Sequence, residues 1–383
     1  MIKFNRMTIK HRSWRIFLLT GVLSAMSISL LTACQSDAYH RKTVSVGEET
    51  LVMLTPLDDA EASDTYMTLN NRFDFQKIER YEGMRGEGWL DDDTVLVTRP
   101  NEAISPVVAF NAVQTVQSLY AFQLNDARLK QLSEPSAYIW APIISPDRQH
   151  LFYAKVIDGM TMGEMSDANG KAKVTVDVPM GYGKAEWLSN DEVIVPYGKD
   201  GVCIINADQT VDYMDGIGSM QTQRAVKVGD NIYYVGTDRT LKAYDLSRGI
   251  RSTIADAVLG FELSPNRDAF AVERRIDNET VSLVRMNLTG DENEVLAEGS
   301  AIFGIEWSPQ QDKLAYIVIS EDEQKTGLHI LHLNKMTDLF VSREFVDVVD
   351  GVKWSPSGDK LLTSIAETKA MKAMDVSYVI YLK

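Results

Sequence analysis

Two stretches of the chain present serine, aspartate and lysine at one spacing. "WSPQQDKL" sets Ser308, Asp312 and Lys313 behind Trp307, and "WSPSGDKL" sets Ser355, Asp359 and Lys360 behind Trp354. A hydroxyl, a carboxylate and an ammonium, given twice, make a paired active site the first reading. Support for it elsewhere is thin. No Gly-x-Ser-x-Gly elbow occurs, and "GIGSMQ" at 216–221 lacks the closing glycine. Beyond residue 33 the histidines are His40, His150, His329 and His332. His329 and His332 fall on one expected strand, where a spacing of three sends them to opposite faces, so they do not share a zinc ion. Asp91-Asp92-Asp93 and "TGDENE" at 289–294 lack the spacing of a calcium loop and read as solvated turns. No metal and no cofactor is expected. Glycoside hydrolysis needs only two placed carboxylates. With 54 acidic residues the sequence neither excludes such a pair nor singles one out.

The elements that would position these residues change the reading. Related stretches are "ISPDRQHLFYAKV" from Ile144, "LSPNRDAFAVERR" from Leu263, "WLDDDTVLVTRP" from Trp89 and "WLSNDEVIVPYG" from Trp187. The weakest, "VKVGDNIYYVGTD", begins at Val226. Seven copies at intervals of 37 to 55 residues fit the period of propeller blades. Each reads as a strand, a tight turn and a second strand. Ser355-Pro356-Ser357-Gly358 fits a type I turn, with proline presetting φ and glycine relieving the exit. Copies built on aspartate or asparagine reach a turn through Asx chemistry. The repeated serines and aspartates are therefore turn formers.

Third strands such as "SLYAFQLN" and "GLHILHLN" follow, then fourth strands such as "RLKQLSEP" and "NEVLAEG". No convincing amphipathic helix lies between repeats; "AETKAMKAM" at 366–374 is the nearest, read as one or two helical turns in a loop. The expected fold is all-β, a single β-propeller of four-stranded antiparallel blades that bury one another. Seven blades are counted, with six as the alternative if the copy at Val226 fails. Trp89, Trp187, Trp307 and Trp354 read as filler between blades, with ligand stacking as the other reading. The last repeat runs out of chain after three strands, so a fourth must come from 43–55 or 72–83 and close the ring.

The recurring Trp-Ser-Pro-x-x-Asp-Lys-Leu pattern resembles the TolB-type, WD40-like propeller repeat. The likeness is good in four copies, partial in two and weak at Val226, and covers the chain from about residue 85. It implies a propeller that partners envelope proteins. Such propellers also serve as substrate filters in prolyl-oligopeptidase-type proteases, but no hydrolase domain is expected here before Lys383. Unlike TolB, this chain shows no separate N-terminal α/β domain.

The first residues are of another kind. Lys3, Arg6, Lys10, Arg12 and Arg15 precede an apolar run from Ile16 to Ala33, the layout of an export signal. Leu31-Thr32-Ala33-Cys34 resembles the bacterial lipobox, which implies cleavage before Cys34 and lipid on its sulfur. An uncleaved transmembrane anchor is the alternative. The expected division is 1–33 signal peptide, 34–43 linker and 44–383 propeller. Lipid on Cys34 would anchor the domain outside the cytoplasm, on the outer membrane of a Gram-negative host (Gln35 fits this) or on the outer face of a Gram-positive cell membrane. A lipobox before a degenerate propeller is also similar to the YqgU-like lipoproteins of Gram-positive bacteria, described as six-bladed.

Without residues 1–33 the chain has 34 Lys+Arg against 54 Asp+Glu, a formal charge of −20, which repels nucleic acid. Cys203, in "VCII", has no partner for a disulfide and reads as a buried small hydrophobe. The longest loop between second and third strands is 98–117, where Val107, Val108 and Phe110 are candidate contacts for a partner, or parts of a plug over the channel. The leading expectation is a monomeric, non-catalytic accessory or scaffold that binds an envelope protein or polymer. The alternative is a carbohydrate- or envelope-polymer-active hydrolase or lyase with carboxylates at the channel mouth.

Overall fold

In the computed structural model seven four-stranded antiparallel sheets stand around an axis. It describes residues 39–46, 49–56, 75–109, 112–136, 138–157, 160–171, 174–179, 185–197, 201–208, 210–215, 217, 224–369 and 372–382. The leader at 1–33, Cys34 and Phe110 lie outside the described residues. The innermost strands of blades 1 to 7 are Arg85–Trp89, Tyr138–Ile144, Glu186–Trp187, Arg224–Val228, Val258–Leu263, Ala301–Trp307 and Val348–Trp354. Each contacts the next, and the seventh contacts the first, so the ring is closed. The weak copy at Val226 is a full blade, which removes the six-bladed alternative.

Closure comes from the N-terminal side. Blade 7 takes three strands from the end of the chain, and its outermost strand is Phe75–Glu82, antiparallel to Lys372–Leu382 with Ile78 opposite Ile380. The other stretch considered for this role, 43–55, does not close the ring. It belongs to a separate hairpin of Tyr39–Val46 with Glu49–Pro56, whose first strand starts inside the stretch read as a linker. Residues 366–369 and 372–374 are not helical either. Lys360–Lys369 and Lys372–Leu382 pair out to Lys369 opposite Lys372. Ladder bonds satisfy this backbone, and tertiary pairing overrides the helix propensity of Ala, Lys and Met. Among the described residues the one helical element is a 3₁₀ turn, Arg343–Phe345.

The repeated serines do build the turns. Ser145, Ser264, Ser308 and Ser355 are buried. Their carbonyls accept from the N–H three residues on, at 2.8–2.9 Å, closing a tight turn. Their Oγ atoms accept from the N–H five residues on: His150 (2.9 Å), Ala269 (3.1 Å), Lys313 (2.9 Å) and Lys360 (3.0 Å). The fourth turn position is left-handed in every copy, with φ of 61° at Arg148, 60° at Arg267, 56° at Gln311 and 73° at Gly358. Glycine stands at one of the four, and the paired strands hold the other three there.

These turns also tie blades together. Asp147 N–H donates to Asn190 Oδ1 (3.1 Å), Asn266 N–H to Gln311 Oε1 (3.1 Å) and Ser357 N–H to Asp92 Oδ1 (2.8 Å). Gln310 Nε2 donates to the Ser357 carbonyl (2.9 Å), Lys227 pairs with Glu192 (3.2 Å), and Arg267 donates to the Lys227 carbonyl. Three of the repeat tryptophans act the same way, as filler with a polar tip, whereas Trp187 packs on the core with its Nε1 bonded to no partner among the described residues. Trp354 Nε1 donates to the Glu306 carbonyl (3.1 Å), Trp307 to Glu262 (3.3 Å) and Trp89 to Lys353 (3.0 Å), each reaching the preceding blade.

Candidate functional site

The Ser–Asp pairs of the repeat do not have the geometry of catalysis. Ser308 Oγ donates to Asp312 (2.8 Å) and Ser355 Oγ to Asp359 (3.1 Å) while accepting a backbone N–H. A buried hydroxyl that gives its hydrogen to a turn carboxylate is not a poised nucleophile. The same arrangement in blade 5 lets hydrogen bonds from Ser264 and Gln311 hold Asp268 below the usual carboxylate range. Ser308→Ala and Ser355→Ala should each lower the unfolding free energy by about 1–2 kcal/mol in urea titrations, because a buried N–H loses its acceptor.

The histidines are likewise engaged in structure. His329 is buried with Nδ1 2.8 Å from Asp338 Oδ2 and Nε2 2.7 Å from the Lys325 carbonyl, and it stacks on Tyr316. His329 lies opposite Tyr316 and His332 opposite Lys313, three apart on one strand and so on opposite faces. Among the described residues no group of three or more His, Cys, Asp or Glu is placed to hold a metal ion. Asp92 serves the junction of blades 1 and 7, and the turn at 289–291 is closed by Asn287, Thr289 and Asp291. Cys203 is fully buried, and burial pushes its thiol up to about 12.

A charged cluster lies instead on the wall of the axis, where blades 3, 4 and 5 meet. Arg224, on the inner strand of blade 4, reaches Glu186 of blade 3 with Nε at 3.0 Å from Oε1. Its Nη2 donates to Glu262 Oε1 of blade 5 at 2.8 Å, and Nη1 pairs with the other oxygen of that carboxylate. Two carboxylates thus share one guanidinium, whose planar fork suits bidentate pairing.

A third carboxylate stands beside them. Glu273 is opposite Gly260 in the blade 5 ladder, and Gly260 and Glu262 share a face. Its carboxyl packs over Gly260, where a Cβ would stand 3.1 Å from Oε2. Burial pushes this carboxyl up to about 7, against the pull of Arg224. The arrangement offers a group that exchanges protons near neutrality beside a fixed cation.

A consequence for stability follows from that shift. The folded state holds the Glu273 proton up to about pH 7, the unfolded chain only to the usual value of 4.5. Stability from this group is therefore greatest below pH 4.5 and is lost as pH rises through 7. The shift corresponds to at most about 3 kcal/mol. Glu273→Gln should flatten this dependence, raising the urea midpoint at pH 8 and leaving it near the parent value at pH 5.

The sequence carried a signal for part of this wall. The residue before the repeat's anchor position is charged in four blades: Glu186, Glu262, Glu306 and Lys353. Lys353 pairs with Glu306 at 3.1 Å across blades 6 and 7. Glu273 and Arg224 fall outside that pattern.

The loops between second and third strands form a different surface. Val107 and Val108 lie in a short strand, Val107–Ala109, paired with Ala112–Gln114 as a two-stranded sheet of its own. The loop 98–117 therefore contains a two-stranded ladder, tied at its base by Asn101 N–H to the Val116 carbonyl (2.8 Å). The neighbouring blade 7 extends its own hairpin to Lys369 and Lys372 on the corresponding connection. Other connections of this kind expose Met160 (60%), Ile276 (55%) and Ile319 (40%).

No protein-family model matches the chain, and no curated protein matches its sequence. Solved structures do resemble it. An oligogalacturonate lyase in complex with manganese superimposes with a TM-score of 0.61 at 12% identity, covering 79% of this chain and 91% of that one. An oligogalacturonate lyase from Vibrio parahaemolyticus gives 0.59 at 11% identity, over 90% and 97%. The β-propeller domain of Cps50 (Swd1) from Myceliophteria thermophila gives 0.53 at 11% identity, over 79% and 100%. At such identities the likeness is one of fold: this chain is a seven-bladed β-propeller of the architecture that lyases and WD40-like propellers share.

Proposed function

We propose that the chain is a lipid-anchored extracytoplasmic propeller that binds a protein or an envelope component and performs no chemistry. The observation that carries this reading is the pair of antiparallel ladders, 107–109 with 112–114 and 366–369 with 372–375, on the same type of connection of neighbouring blades 1 and 7. Leu31-Thr32-Ala33-Cys34 supports the anchor, and the TolB-type repeat supports a partner in the envelope. Cys34→Ser should move the protein from the membrane fraction to the soluble fraction in its host. Retention of the variant in the membrane fraction would count against lipidation.

A second reading rests on Glu273. A carboxyl poised near neutrality beside Arg224, in a fold shared with oligogalacturonate lyases, favours action on an acidic polysaccharide. Turnover of oligogalacturonate by the purified chain, abolished by Glu273→Gln, would establish it in place of the first.

A further inference from the structure

The junction of blades 1 and 2 departs from the other six. Elsewhere a residue in or beside the turn between first and second strands reaches across to the next blade, whereas blades 1 and 2 are coupled on their inner strands, through Arg85 and Tyr138. Here the turn at 90–94 and the turn at 145–150 make no hydrogen bond to one another among the described residues. Between them lies an open cleft of about 610 Å³. The two blades are joined at its outer rim, where Lys130 Nζ donates to Asn169 Oδ1 at 3.0 Å.

The lining is unusual for so acidic a chain. Arg128, Lys130 and Arg148 line the cleft with one carboxylate, Asp91, among its walls; Arg128 also pairs with Asp126 (3.5 Å) outside the lining and bonds Gln123, and Lys130 bonds Asn169. Arg148 is partly buried and its side chain makes no hydrogen bond or ion pair among the described residues. In blade 6 the residue at the same turn position, Gln311, crosses to the preceding blade and bonds Asn266 N–H and Asp268. Arg148 has the same left-handed backbone and a longer side chain, yet it bonds none of the described residues across the junction. A cation without a counterion among the described residues, in a chain of net charge −15, suits an anion from outside. Gln123, Gln149 and Asn169 add amide groups that donate to and accept from hydroxyls, over a floor of Leu90 and Leu129.

We propose that this cleft binds an anionic glycan, a hydroxyl-rich chain carrying a carboxylate or phosphate on successive units. Arg128 and Lys130 are two apart on one strand, so their charges fall on one side, while Arg148 stands across from them on blade 2. Such a spread suits several charges on one polymer better than one small ion. The site lies at the turns between first and second strands, so it is separate from the paired ladders of the proposed partner reading.

Titration calorimetry on the full chain tests the inference with three probes: a six-unit oligogalacturonate, a six-unit glycerol phosphate oligomer and a neutral six-unit glucan. Binding of either acidic probe without the neutral one is expected, and which acidic probe binds tells carboxylate from phosphate. Arg148→Gln, the residue that blade 6 carries in the same backbone conformation, should weaken binding about tenfold or more. Arg267→Gln removes the same charge from the matching turn of blade 5 and should leave binding unchanged. Equal binding of the neutral glucan, no binding of either acidic probe, or equal losses from both arginine variants would overturn the proposal. Replacing 102–115 by a short linker should leave this binding intact, so a failure here and a failure of the partner reading are distinguishable.

Discussion

Replacing Ile78 by aspartate is expected to cost about 4 kcal/mol or more, close to the whole stability of many domains. Ile78 is 3% exposed and stands opposite Ile380 in the strand that closes blade 7. It packs in a cluster with Val376, Tyr378, Trp354 and Phe345, where a carboxylate would be buried among apolar groups. The loss extends beyond one side chain. Without a docked Phe75–Glu82, the strand Lys372–Leu382 becomes an open edge, and the contact of Trp89 with Lys353 across the seam loses its support. Urea denaturation should show a large fall in midpoint and early protease cleavage. Ile78→Val, which removes one methyl, should cost only about 1 kcal/mol. Equal, small effects of both variants would mean the ring does not depend on this strand.

The second large effect is expected at the axis. Gly304 and Gly351 sit in bulges of neighbouring inner strands, with φ of 64° and 82°. A Cβ on Gly304 would stand 3.2 Å from the Gly351 Cα, and one on Gly351 would stand 3.0 Å from the Gly304 Cα. Backbone on both sides cannot move aside as a flexible side chain can. Gly351→Ala should therefore combine about 1–2 kcal/mol of left-handed strain with about 1–3 kcal/mol of crowding. Gly229 is the control: φ is 56°, but nothing lies within 4 Å of its added Cβ. Gly229→Ala should show the strain alone, about 1–2 kcal/mol. If the two alanine variants lose the same stability, the inner strands do not approach as described.

That glycine pair shows how much of the fold a reader of the sequence can reach. Gly86, Gly260, Gly304 and Gly351 each stand three residues before the anchor of their repeat, so the position of the inner bulge was written in the chain. Repetition is what makes the blades legible, since each copy checks the others, and even the degenerate copy at Val226 falls into register. Segments that occur once have no such check. The Ala-, Lys- and Met-rich stretch 366–374 has helical composition, but its residues 366–369 and 372–374 are held extended by pairing, and 98–117 hides a short two-stranded ladder in unremarkable residues. The Arg224 cluster assembles from three blades, and the basic cleft from two, through contacts that no linear spacing records.

The partner reading is tested most directly by photocrosslinking in the native envelope. A photoreactive side chain at Val108 is compared with one at Ser247, in the turn between the third and fourth strands of blade 4. A discrete adduct from position 108 alone, lost when Cys34→Ser frees the chain from the membrane, is the predicted result. No adduct from 108, together with oligogalacturonate turnover that depends on Glu273, would contradict it and establish the propeller as an enzyme.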